Sequence, residues 1–182
     1  MQKIVRTIIQ SLLFEKKAPS LEELTKIPVQ IPEKVLPTFV TIYDDKTIIG
    51  SAWRLYPVKT NFLEELIDNT QQALLDPRFS EYQSNPEKAR NLYYRVDTFD
   101  NNSRRILHHP DDIDTKNEGM ILICRKQKKV GVILPHMVPE TLSWEDIYHM
   151  LTKKVQLDVK DIGKWDLILY GLKTHIFKDE NI

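Results

Sequence analysis

Residues 38–55 read Thr-Phe-Val-Thr-Ile-Tyr-Asp-Asp-Lys-Thr-Ile-Ile-Gly-Ser-Ala-Trp-Arg-Leu. β-Branched and aromatic residues crowd 38–43 and 48–55, and the polar link Asp44-Asp45-Lys46 separates them, which is the pattern of an antiparallel hairpin. Upstream, Pro19, Pro28, Pro32 and Pro37 with Glu22, Glu23 and Glu33 between them predict an extended connector, because proline at that density breaks helices and central strands. Before it, Ile4, Val5, Ile8, Ile9, Leu12 and Leu13 recur at three- and four-residue spacing, so 2–16 is expected to be an amphipathic helix.

Downstream, Thr60 or Asn61 caps a helix whose apolar face is Leu63, Leu66, Ile67, Thr70 and Leu74, and Asp76-Pro77 stops it. Strands are predicted over 92–99 and, around the polar turn 125–129, over 120–124 and 130–134. Ser143 with Asp146 forms a capping box for a helix carrying Ile147, Met150, Leu151 and Val155. A last strand spans 167–177, interrupted by Gly171. Helices and strands do not alternate strictly, so the expected class is α+β: a mainly antiparallel sheet flanked by helices.

The 182 residues include 41% hydrophobic and 29% charged side chains, a globular balance with enough apolar material for a core. Net charge is zero, which argues against a general nucleic-acid binder. The single cysteine, Cys124, rules out an intramolecular disulfide and points to the cytoplasm. Apolar runs are strand-length, well short of a bilayer span, and Gln10 and Ser11 interrupt the only run that resembles a signal peptide.

Candidate chemistry is sparse. His108-His109-Pro110-Asp111-Asp112-Ile113-Asp114 holds metal-ligand types at a spacing that does not converge, so it reads as a solvated loop. Arg125, Lys126, Lys128 and Lys129 sit where a hairpin turns through water, and Cys124 ends an apolar strand as a small buried hydrophobe. No nucleophile elbow, phosphate-binding glycine loop or dinucleotide fingerprint occurs. Asp76-Pro77-Arg78-Phe79 is more distinctive, with Arg78 expected on helix-end carbonyls and Phe79 in the core; buried arginine pairs also hold anions.

Phe39-Val40-Thr41-Ile42, Asp76-Pro77-Arg78-Phe79, Glu118-Gly119-Met120-Ile121-Leu122, Leu134-Pro135 and Trp144 fall in an order that resembles the AMMECR family, also called AmmeMemoRadiSam system protein A. The resemblance runs over essentially the whole chain. It implies one AMMECR-type domain over 1–182, α+β, with a larger and a smaller lobe. The family's activity is not established. Its members are often encoded beside a Memo-like protein, which looks like a non-haem iron dioxygenase, and a radical-SAM enzyme, so one of these is the implied partner.

The second strand departs from the family signature Leu-Arg-Gly-Cys-Ile-Gly. Here Ile48-Ile49-Gly50-Ser51-Ala52-Trp53 keeps only Gly50, with Ile49 for arginine, Ser51 for cysteine and Trp53 for the second glycine. A serine without an adjacent base is a far weaker nucleophile than a thiolate. The expectation is therefore a non-catalytic accessory or interaction module without cofactor or metal. Its candidate binding surface comprises Ile49, Gly50, Ser51, Trp53, Asp76, Arg78, Phe79 and His136. The alternative is a divergent enzyme using Ser51 with a base such as His136. A weaker third reading, RNA association, requires a strongly salt-dependent affinity.

Overall fold

The computed structural model describes residues 1–135, 143–146, 149–150, 156, 160 and 162–178. The chain divides into two compact units, Met1–Thr98 with Ile176–Ile182, and Phe99–His175, of which the first is the larger. Each is built on antiparallel strands, and the fold is α+β.

In the first unit β1 (Thr38–Asp44) lies between β2 (Thr47–Trp53) and β3 (Tyr93–Phe99). The hairpin is the one that the sequence predicts. Asp45 takes the left-handed φ of 51° that its tight turn requires. A bulge displaces the register between Ile42 and Tyr43: Ile42 faces Gly50 and Tyr43 faces Ile48, so Ile49 is the extra residue. Both faces of β1 are buried. Val40 and Ile42 join Ile49, Tyr94 and Val96 in a core with α1 (Gln2–Gln10) and α3 (Phe62–Leu74). On the opposite face Phe39, Thr41 and Tyr43 align with Asp97, Arg95 and Tyr93 of β3. There the buried Arg95 guanidinium donates to both oxygens of Asp97 at 2.7 Å, so each buried charge has its partner.

The predicted first helix is α1, continued by a wider turn over Ser11–Glu15 that ends where Lys16 turns left-handed at φ 58°. The connector that follows is not wholly extended. It contains α2 (Leu21–Thr25), closed by a capping box in which Ser20 Oγ accepts from the Glu23 amide and the Glu23 carboxylate accepts from the Ser20 amide at 2.7 Å. Pro19 precedes the cap and Pro28 follows the helix, so the prolines bound this turn rather than prevent it. Asn61 caps α3 as expected, its Oδ1 accepting from Leu63 at 2.8 Å.

In the second unit β7 (Leu167–Lys178) pairs with β5 (Glu118–Cys124) on one side and with the three-residue β4 (Arg105–Leu107) on the other, and β6 (Lys129–Ile133) completes the hairpin with β5. β7 runs through Gly171 without interruption, contrary to expectation. Gly171 faces Arg105 and Met120, and its missing side chain accommodates Leu107, whose Cδ2 would lie 3.1 Å from an added Cβ. Cys124 is buried with Leu107, Met120, Leu122 and Leu169. Ser143 and Asp146 form their capping box. Met150 packs against the core; Ile147, Leu151 and Val155 lie outside the described residues. The 108–114 segment is a turn in which Asp112 accepts from the His108 and His109 amides at 3.1 and 2.8 Å. Among the described residues no helix is long and apolar enough to cross a membrane.

At Gly50 helix and sheet approach closely. A Cβ there would stand 2.7 Å from the Ala73 carbonyl oxygen, a backbone atom of α3 that no rotamer can move aside. Gly50→Ala is therefore expected to lower the unfolding free energy by about 1–3 kcal/mol, as overpacking of a filled core does, in urea titration of the purified protein.

Candidate functional site

Among the described residues β2 ends the strand order of its unit, so its outer edge carries backbone groups with no neighbouring strand. Two of them are taken up by the corner that follows α3. Asp76 Oδ2 accepts from the Ser51 amide at 3.3 Å, and Arg78 Nη1 donates to the Ile48 carbonyl at 3.4 Å. Asp76 precedes a 3₁₀ turn (Pro77–Phe79) and caps it, its Oδ1 accepting from the Arg78 amide at 3.1 Å. The same carboxylate receives Arg78 Nε at 2.9 Å and Nη2 at 2.5 Å. Arg78 Nη2 also donates to Ser51 Oγ at 3.1 Å.

Arg78 does not bond the helix-end carbonyls. Gln83 Nε2 takes the Leu74 carbonyl at 2.5 Å and the Asp76 amide takes that of Ala73, leaving the guanidinium for the strand edge. Ile49 supplies no cation, yet a guanidinium does reach residue 51, from Arg78.

Electrostatically the corner is a closed pair. The guanidinium hydrogen bonds of Arg78 hold the Asp76 carboxyl below the usual carboxylate range, against a smaller opposing effect of burial. Asp76 in turn raises Arg78. The Ser51 hydroxyl accepts from a cation, and among the described residues no base receives its proton. The cation that reaches Oγ is itself balanced by the Asp76 carboxylate, so the hydroxyl sits beside a neutral pair.

Of the predicted site residues, Ser51, Asp76 and Arg78 meet directly. Trp53 stands at the end of β2, 40% exposed, with one face stacked on Phe39 at 5.2 Å and 7° between planes. Ile49 and Phe79 are core residues, Phe79 fully buried and stacked 5.2 Å from Tyr82, and Gly50 lies beneath α3. These three position the corner and offer no surface of their own. His136 lies outside the described residues.

Sequence reasoning missed the anchor of the segment after β2. Glu65, fully buried on α3, accepts from the amides of Val58 and Lys59 at 2.9 and 3.1 Å and from Asn69 Nδ2 at 3.0 Å. Arg54 Nη1 lies 3.6 Å from Glu65 and also pairs with Asp68. The available signal was an acid and an amide one turn apart, Glu65 and Asn69, between apolar positions of α3. This anchoring fixes a segment that presents Tyr56 and Val58, 68% and 63% exposed, directly after Trp53.

A family model described as AMMECR1 matches residues 2–176. The crystal structure of uncharacterized protein PH0010 from Pyrococcus horikoshii superposes with a TM-score of 0.66 at 18% identity, covering 98% of this chain and 89% of that one. At that identity the likeness is one of fold. No curated protein matches.

Because the Asp76 carboxyl is held below its unfolded value, the stability it contributes is complete above the ordinary carboxylate range, about pH 4, and is lost as pH falls through the folded value. Asp76→Asn is expected to lower the unfolding free energy by about 0.5–1.5 kcal/mol at pH 7, with the gap from wild type closing progressively below about pH 4. Denaturant titrations across pH check this, and a gap that widens in acid contradicts it. Arg78 is half-exposed, so Arg78→Ala is expected to cost no more than about 1 kcal/mol.

Proposed function

The chain belongs to the AMMECR1 family, and on that premise we propose that it is a non-catalytic interaction module whose contact surface is the end of β2 and the segment after it, flanked by the Asp76–Arg78 corner. The observation that carries this reading is the display of Trp53, Tyr56 and Val58 on a stretch held at one end by the β2 ladder and at the other by buried Glu65, which accepts from the Val58 and Lys59 amides. Apolar side chains in that number on one short stretch, rimmed by charge, are what a protein partner covers. Their segment is already ordered, so association does not have to pay for fixing it.

The neighbouring chemistry supports the same reading. Ser51 is bound to a guanidinium, and the Asp76–Arg78 pair occupies the edge groups at Ser51 and Ile48, so a partner strand finds no free pair there. The surface works through side chains, with Arg78 offering charged hydrogen bonds at the rim. The partner, by family resemblance, is a Memo-like protein or a radical-SAM enzyme, and the cytoplasm is the compartment that a lone, buried Cys124 fits.

The test is co-purification of the tagged chain from its native host after nuclease treatment, followed by direct mixing with the Memo-like and radical-SAM proteins of that host. Wild type is expected to retain a stoichiometric protein partner. Trp53→Ala is expected to lose it with the fold intact, since the Phe39 stack is worth only about 0.5–1.5 kcal/mol. Arg78→Ala is expected to weaken the complex, and retention undiminished in both variants contradicts the assignment.

A further inference from the structure

The second unit contains a cavity of about 490 Å³ at the end of β4, within the range of about 300–1,000 Å³ that holds small molecules. Its origin lies in strand lengths. β4 stops at Leu107, opposite Leu169, whereas β7 begins two residues earlier at Leu167, so the edge of β7 at 167–168 has no β4 residue beside it. Leu169 and its neighbours supply an apolar floor, and Trp144, Trp165 and Tyr170 line the space with aromatic surface. Arg125 and His108, both exposed, complete the lining, and no carboxylate is among the described residues that form it.

Trp165 is 95% exposed, yet it is not on a loose end. Its turn, Lys164–Asp166, is closed by the Asp166 amide on the Gly163 carbonyl at 3.0 Å and by the Gly163 amide on Asp166 Oδ2 at 2.9 Å. The Arg125 amide donates to the Asp166 carbonyl at 3.0 Å, so backbone hydrogen bonding holds the segments of Arg125 and Trp165 together. An indole left almost wholly in water, on a fixed turn beside a cavity that Arg125 also lines, offers a stacking surface to a planar ring.

We propose that this cavity binds a planar aromatic anion, with its ring on Trp165 and its carboxylate or phosphate on Arg125 and His108. The aromatic walls select a flat ring. The two cationic or N–H-donating side chains, unopposed by any acid in the lining, select negative charge on that ring's substituent. This site is separate from the interaction surface proposed above and does not depend on it.

The test is isothermal titration of the full chain with adenosine 5′-monophosphate and with indole-3-acetate, each beside its neutral counterpart, adenosine or indole-3-acetamide. At least one anion is expected to bind saturably, at least about fivefold tighter than its counterpart. Which anion binds tells phosphate from carboxylate. Trp165→Ala and Arg125→Gln alter exposed side chains, and unchanged melting temperatures confirm their folding. Each is expected to weaken the bound anion at least about fivefold, with Arg125→Gln leaving the neutral counterpart unaffected. Failure of both anions to bind at about 10 mM, a neutral compound binding as tightly as its anion, or an affinity that survives either substitution overturns the proposal.

Discussion

The approach of α3 to β2 at Gly50 is the constraint on which the first unit's functional geometry depends. The Ala73 carbonyl lies where a side chain at residue 50 would begin, so helix and strand meet backbone to backbone. Ala73 is the last residue but one of the helix, and the chain leaves the helix directly beside the strand edge. Asp76 and Arg78 land there as a consequence, one accepting from Ser51 and the other donating to Ile48. The bulge at Ile49 contributes from the strand side, because the displaced register sets which backbone groups of β2 face outward.

This arrangement puts a guanidinium at residue 51 although β2 itself carries neither arginine nor cysteine. The corner supplies a guanidinium to residue 51 from a different element and neutralises it with Asp76 in the same step. A thiolate beside an unneutralised arginine would be poised for chemistry, whereas a serine beside a closed ion pair is held in place. The exposed aromatic and aliphatic side chains of 53–58 then become the conspicuous feature of this surface, and buried Glu65 anchors the stretch at Val58 and Lys59.

Much of the fold was legible because local signals and tertiary demands agree. The 38–53 hairpin follows from β-branched residues around Asp45-Lys46, and α3 from the Asn61 cap and the Asp76-Pro77 stop. Short α2 was obscured by surrounding prolines although Ser20 and Glu23 spelled its cap. Gly171 looked like a break because a glycine's role in close packing against Leu107 depends on a partner 64 positions away in the chain, which no local pattern encodes. For the candidate site, the sequence singled out Ser51, Asp76 and Arg78 but not their mutual bonding. Arg78's direction depends on Gln83 having taken the helix-end carbonyl, and Glu65's role depends on two amides in a separate loop.

The most direct test of this account is a double-mutant cycle on unfolding free energy between Gly50→Ala and Arg78→Ala, residues that belong to different elements. If the helix approach at Gly50 is what sets Arg78 on the strand edge, the added methyl displaces that corner, and Arg78→Ala costs less in the Gly50→Ala background, with a coupling of at least about 0.5 kcal/mol. Strict additivity of the two substitutions would contradict it.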